Sequence, residues 1–130
     1  QDPRSPYSGV ISIFCDRMKS GRGVTIFGDG GQSRDFVFVG DVVRALLAAM
    51  ARAGSDAPVF NVCTGRSTTI QDLAGAIAEV LGVRGEIAFA PPRAGEIRMS
   101  LGDPSLGCRD LGFTAATGLR DGLTKTLSMP

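Results

Sequence analysis

Three arginines stand beside turn-forming residues: Arg34 after "GDGGQS", Arg93 after the pair Pro91-Pro92, and Arg98 a short way beyond. A guanidinium group presents a fixed fork of donors that can engage two phosphate oxygens at once, and turns of small residues let a ligand approach the backbone. Spacing alone leaves the alternative open, that these are solvated or structural arginines. The chain has no histidine, so the commonest general base and the commonest metal ligand are both missing. Proton transfer would fall to carboxylates, Lys19, Lys125 or the single Tyr7.

Sharper motifs are incomplete. Gly28-x-Gly30 begins like a dinucleotide-binding turn, but Ser33 stands where a third glycine should open a helix, and a β-rich run follows. Gly65 is not followed by lysine at the spacing of a phosphate-binding loop. Ile11 stands four residues after Tyr7, so there is no Tyr-x-x-x-Lys pair, and no serine has a histidine to activate it. The sequence therefore contains no complete catalytic constellation.

The bulk numbers bound the partners. A chain of 130 residues is one ordinary domain, able to remove about two-thirds of its unfolded surface from water. With 14 Lys+Arg against 13 Asp+Glu it has no excess charge to attract nucleic acid or an acidic membrane. Its apolar runs stop well short of the roughly 20 residues of a membrane span, and "QDPRSPYSG" is no signal peptide, so the chain reads as soluble and cytoplasmic. Cys15, Cys63 and Cys108 are widely separated and read as buried, reduced thiols rather than a disulfide framework or a zinc site.

The elements that must position the arginines follow from periodicity. Val10, Ile11, Phe14, Cys15 and Met18 repeat at helical spacing within Ser8–Ser20, with Gly21 as the stop. Val24–Phe27 and "DFVFV" read as short strands on either side of the "GDGG" turn. Asp41 is placed to cap a helix carrying Val42, Val43, Leu46, Leu47 and Met50 up to Gly54. That helix has almost no polar face, so it expects more neighbours than a small free-standing domain supplies. "PVFNVCTG" reads as a buried strand and glycine turn. Thr69-x-x-Asp72 is a capping-box variant opening a helix with Ile70, Leu73, Ile77 and Leu81 inward. "EIAFA", "IRMSL" and a last helix with Leu119, Leu123 and Leu127 complete an alternating pattern of the α/β class.

Read in order, "QDPRSPYSGVISIF", "GRGVTIFGDGGQSRDFVFVGDVVRAL", "FNVCTG", "PPRAGEIRMSLGD" and the closing "LGF…GLRDGL" carry a resemblance across nearly the whole chain. It resembles the C-terminal half of NAD-dependent nucleotide-sugar epimerases and dehydratases of the extended short-chain dehydrogenase family, which includes UDP-glucose 4-epimerase. The resemblance implies that residues 1–130 form the substrate-binding C-terminal part of a Rossmann-type α/β enzyme. The apolar helix and the "VFNV" strand would pack on a cofactor domain. The NAD loop and the catalytic Tyr and Lys would lie upstream, leaving no catalytic or cofactor-binding residue here and an inactive isolated chain.

By the same resemblance, Arg34 matches an arginine on the substrate's pyrophosphate, Arg93 one for the phosphates, and Glu96 an acid for the uridine ribose. Thr25 and Phe27 belong to a segment whose backbone holds uracil, and Gly9, Val10 and Ile11 to a helix start that faces the nucleotide. Ser100 matches a position facing the sugar's C2 substituent. Asp35 is expected to order the turn. Phe38 and Gly40 depart from the family, which usually has Tyr or His at the first and Asp or a similar polar residue at the second.

The implied activity is NAD-assisted oxidation of a UDP-hexose at C4, rotation of the keto sugar, and hydride return to its other face, in a homo-oligomer. The alternatives are an NDP-sugar 4,6-dehydratase or decarboxylase on the same scaffold, or a non-catalytic ligand- or partner-binding domain.

Overall fold

The computed structural model describes residues 9–52, 54 and 58–128, so Tyr7 and the opening "QDPRSPYS" lie outside the described residues. Helix α1 (Val10–Lys19) buries Phe14, Cys15 and Met18, and Gly21, with φ of 67°, closes it by donating its N–H to the Met18 carbonyl at 3.0 Å. Strand β1 (Val24–Phe27) alternates as its sequence demands, with Val24 and Ile26 in the core and Thr25 and Phe27 on the other face. Gly28 and Gly30 turn the chain with φ of 81° and 78°, a region that favours glycine, into β2 (Ser33–Arg34). Then follow α2 (Val39–Ala51), β3 (Thr68–Thr69), α3 (Ile70–Leu81), β4 (Ile87–Ala90), β5 (Met99–Ser100), α4 (Ser105–Leu111) and α5 (Leu119–Leu127).

Two small sheets result. β1 pairs in parallel with β4, Val24 opposite Ile87, and β2 lies between antiparallel β3 and parallel β5. The core centres on α3, whose Leu73, Ala74 and Ile77 have no exposed surface and which packs against α1, α5 and β1. The first turn of α3 is tied to the glycine turn. Ile70 donates its N–H to the Gln32 carbonyl at 2.9 Å and Gln71 to the Gly30 carbonyl at 3.2 Å. The Thr69 hydroxyl accepts from the Asp72 N–H at 3.0 Å, as the capping pattern predicts. The box is not reciprocal, because the Asp72 carboxylate accepts from the Thr69 hydroxyl at 2.6 Å instead of reaching back to an N–H.

Several expectations are corrected. Asp41 is not an N-cap: α2 begins at Val39 after Phe38, leaving Asp41 buried in its first turn. There it accepts from the Thr117 N–H at 2.9 Å, the Thr117 hydroxyl at 3.2 Å and Arg44 at 2.6 Å, joining α2 to the approach to α5. α2 buries Asp41 and Ala45 and leaves Val43, Leu46, Leu47 and Met50 exposed, as expected of an apolar helix that lacks enough neighbours in a chain of this size. The helix ends at Ala51, before Gly54. Residues 58–64 form no strand, and Val59 is 85% exposed, because no ladder partner runs beside them among the described residues. "DFVFV" likewise forms no ladder: pairing stops at Arg34, and 35–38 run on unpaired. Cys15 and Cys63 are buried, but Cys108 is exposed. α4 was not foreseen; seven residues are too few for periodicity, and its start rests on Asp103, which accepts from the Ser105 N–H at 2.9 Å.

The two departures at Phe38 and Gly40 are in contact. A Cβ on Gly40 would lie 2.7 Å from Cε1 of the Phe38 ring, so a side chain there requires the ring to shift.

Asp35 does order its surroundings: it accepts from the Thr64 hydroxyl at 2.6 Å and from the N–H groups of Thr64 and Gly65 at 2.9 and 2.8 Å. Burial by itself raises the carboxyls of Asp35 and Asp41, but hydrogen bonds from Thr64 to the first and from Arg44 and Thr117 to the second outweigh it, leaving both below the usual range. Their stabilisation is complete above the unfolded-state value, near pH 4, and is lost as pH falls through the lowered folded values. Asp41→Ala strands the Thr117 N–H and should cost about 2–3 kcal/mol. Thermal unfolding at neutral pH should show a lower Tm, and the gap from the unsubstituted chain should narrow as pH falls below 4.

Candidate functional site

A cavity of about 590 Å³ opens between the start of α1, the edge of β1, β2 and the loop after β4, a volume within the range of small-molecule sites. α1 contributes Val10 and Ile11, β1 contributes Thr25 and Phe27, β2 contributes Arg34, and the loop contributes Arg93 and Glu96. Ser100 is the exception among the predicted site residues. It lies exposed on β5, opposite Arg34 in the ladder but away from the cavity lining, because β5 turns its residues to solvent on both faces.

Each polar group has a distinct environment. Arg34 Nη1 donates to the Ser33 and Ile97 carbonyls, both at 2.7 Å, which anchors the fork while Nε and Nη2 have no acceptor among the described residues. The Arg93 guanidinium stacks over the Phe27 ring at 3.7 Å from its centroid. Gln32, which the sequence reading missed, is buried against the cavity; its Nε2 donates to the Phe27 carbonyl at 2.7 Å and to Glu96 Oε1 at 3.3 Å. A glutamine inside a glycine turn gives no sequence signal of such a role.

The backbone of β1 is also part of the site. Val24 and Gly28 donate to the Glu86 and Ala90 carbonyls at 2.8 Å, so alternation turns the backbone groups of Thr25 and Phe27 toward the opposite edge. No strand pairs with that edge among the described residues. Donors and an acceptor are thus offered to whatever fills the cavity, independent of side-chain identity.

Arg98 does other work. Its Nη1 and Nη2 engage Asp29 at 2.5 and 3.0 Å, and a Cβ on Gly31 would fall 2.8 Å from Nη2, so the glycine gives this clamp its room. The glycine turn is therefore structural. It leads into β2 instead of a helix, and the α3 N–H groups nearest it are already satisfied. These residues do not build a dinucleotide cradle. No group of three or more His, Cys, Asp or Glu among the described residues could hold a metal ion, and no described helix is long and apolar enough to cross a membrane.

Residues 1–63 match the family model described as the NAD dependent epimerase/dehydratase family. The chain is 41% identical over 127 residues to UDP-glucose 4-epimerase of Mycolicibacterium smegmatis, covering 98% of this chain and 40% of that protein. It is 31% identical over 127 residues to dTDP-glucose 4,6-dehydratase of Streptomyces griseus, covering 97% and 38% respectively. Among solved structures it superposes on the crystal structure of UDP-glucose 4-epimerase with UDP-glucose from Thermotoga maritima with a TM-score of 0.86 at 41% identity, over 98% of this chain and 43% of that one. The chain thus spans about two-fifths of the length of the relatives it matches. Its fold is α/β, of the Rossmann-type extended short-chain dehydrogenase class. Within that class it belongs to the NAD-dependent epimerase/dehydratase family.

The Arg98 clamp, with the Gly31 N–H as a second donor, lowers the Asp29 carboxyl to about 2. In Arg98→Ala, the Asp29 carboxyl should titrate closer to its usual 3.8, as followed by carbon-13 NMR of the side chain.

Proposed function

We propose that this chain is the nucleotide-sugar-binding part of an NAD-dependent 4-epimerase acting on a UDP-hexose. The observation that carries the reading is the shared cavity: Arg34 and Arg93, far apart in sequence, line it together with Glu96 and the open edge of β1. Two guanidinium groups suit a diphosphate, a carboxylate suits ribose hydroxyls, and an unpaired strand edge suits the amide-like face of a pyrimidine. The epimerase relatives support the choice of substrate.

In this reading residues 1–130 are the substrate part, and NAD with the catalytic Tyr and Lys is held outside them, by a cofactor-binding part that covers the exposed Val43, Leu46, Leu47 and Met50 of α2. The cofactor supplies hydride chemistry at the sugar. This chain's residues bind the remote nucleotide, and that binding holds the sugar in place. The intact protein is a homo-oligomer, and its free Cys15, Cys63 and Cys108 suit the reducing cytoplasm.

The 31% identical dehydratase favours a second reading, a 4,6-dehydratase on the same scaffold. Mass spectrometry of products from a panel of nucleotide sugars separates the two: epimerisation conserves mass, whereas dehydration removes one water.

Arg34→Ala in the intact protein should weaken uridine diphosphate binding about 10- to 100-fold by titration calorimetry, the loss expected for hydrogen bonds to a charged group. Unchanged affinity would overturn the assignment. The chain expressed alone should sediment above its 13.5 kDa monomer mass through the apolar face of α2, and Leu47→Glu should return it to the monomer.

A further inference from the structure

The Gln32 carboxamide is buried at a cost. Its residue is 4% exposed, and its Oε1 is buried without a hydrogen-bond donor among the described residues. The amide cannot be turned to relieve this, because Nε2 faces two acceptors, the Phe27 carbonyl at 2.7 Å and Glu96 Oε1 at 3.3 Å, and an oxygen in its place would oppose both. A buried carbonyl oxygen with no donor destabilises a fold, and an apolar side chain of similar length would avoid that penalty. The Gln32 backbone carbonyl receives the Ile70 N–H at 2.9 Å whatever the side chain, so what the side chain gives the main chain is the single bond from Nε2 to the Phe27 carbonyl. An amide retained without net gain in stability inside a ligand-sized cavity points to a role in the site.

That role follows from what it joins. The segment 91–98, which carries Arg93 and Glu96, is exposed along its whole length. It is held to the body of the protein by one backbone bond, from the Ser33 N–H to the Arg98 carbonyl at 2.9 Å, and by side chains: Arg34 on the Ile97 carbonyl, Arg98 on Asp29, Arg93 on the Phe27 ring, and Gln32 on Glu96. The Gln32 bond is the one that reaches Glu96, and the same nitrogen fixes the last carbonyl of β1.

We infer that Gln32 is a positioning residue, which sets the Glu96 carboxylate against the Phe27 end of β1 so that the ribose and base of one nucleotide are met together. The inference rests on the nucleotide-sugar reading above and deepens it.

The test uses the intact protein and uridine diphosphate. Gln32→Met keeps the length of the side chain and removes its polar atoms. Its Tm should stay close to that of the unsubstituted protein, because the lost bond to the Phe27 carbonyl is offset by removal of the donor-less Oε1, while Kd for uridine diphosphate by titration calorimetry rises about tenfold, within the range of coupled neighbours. In a Glu96→Ala background the same substitution should cost at most about threefold, because the group it positions is gone. A full tenfold loss in that background, an unchanged Kd in Gln32→Met alone, or loss of its cooperative thermal transition would each overturn the inference, the last by showing that the amide serves the fold. These outcomes leave the nucleotide-sugar reading standing if the unsubstituted protein binds the probe. No binding by the unsubstituted protein would overturn both.

Discussion

The first turn of α3 cannot be left unsatisfied where it enters the core, and the way it is satisfied fixes everything around it. Two of its N–H groups go to the carbonyls of Gly30 and Gln32, and a third goes to the Thr69 hydroxyl. Leu73, Ala74 and Ile77 bury the helix completely on one side, and the glycine turn is bonded to its start. The turn in turn sets the register of β2, and thereby the place of Arg34, while Gln32 reaches back to the end of β1. The position of the cavity is thus a consequence of capping one buried helix.

Around that anchor the polar groups divide by task. Asp35 and Asp41 are structural carboxylates whose hydrogen bonds outweigh their burial, and Asp29 with Arg98 clamps the turn at the surface. Arg34 and Arg93 are held differently, one by carbonyls on a single nitrogen and the other by the face of a ring. Neither has a carboxylate partner among the ion pairs of the described residues, and their positive charge is left for the cavity. Arginines neutralised by acids would make a poor site for an anion.

Much of this was legible in the sequence where local chemistry decides the outcome. The four residues of β1, the stop of α1 at Gly21, and the Thr69 cap all follow from patterns within a few positions of each element. Where a distant partner decides, the pattern misled. Asp41 resembles a cap but is claimed by Thr117, and residues 58–64 have strand composition without a strand beside them. α4 is too short to show a period, and Gln32 carries no motif. The gathering of Arg34, Arg93, Glu96, Thr25 and Phe27 in one cavity came from the family resemblance, since no spacing rule links residues so far apart.

The packing between Cys63 and Gly102 bears on how the protein meets oxidants and thiol reagents. A Cβ on Gly102 would lie 2.5 Å from Cys63 Sγ, so the sulfur is pressed against bare backbone. Burial, with the nearby Asp35 charge second, raises the Cys63 thiol and disfavours its reactive thiolate. Gly102 also lies beside Asp35, whose carboxyl its backbone helps to lower, and Asp35 in turn holds Thr64 and Gly65. An oxygen atom added to Cys63 would therefore press on the Asp35 junction, not merely modify a surface. Cys108, on the outside of α4, can be alkylated without that damage, so the two thiols separate labelling of the surface from disturbance of the interior.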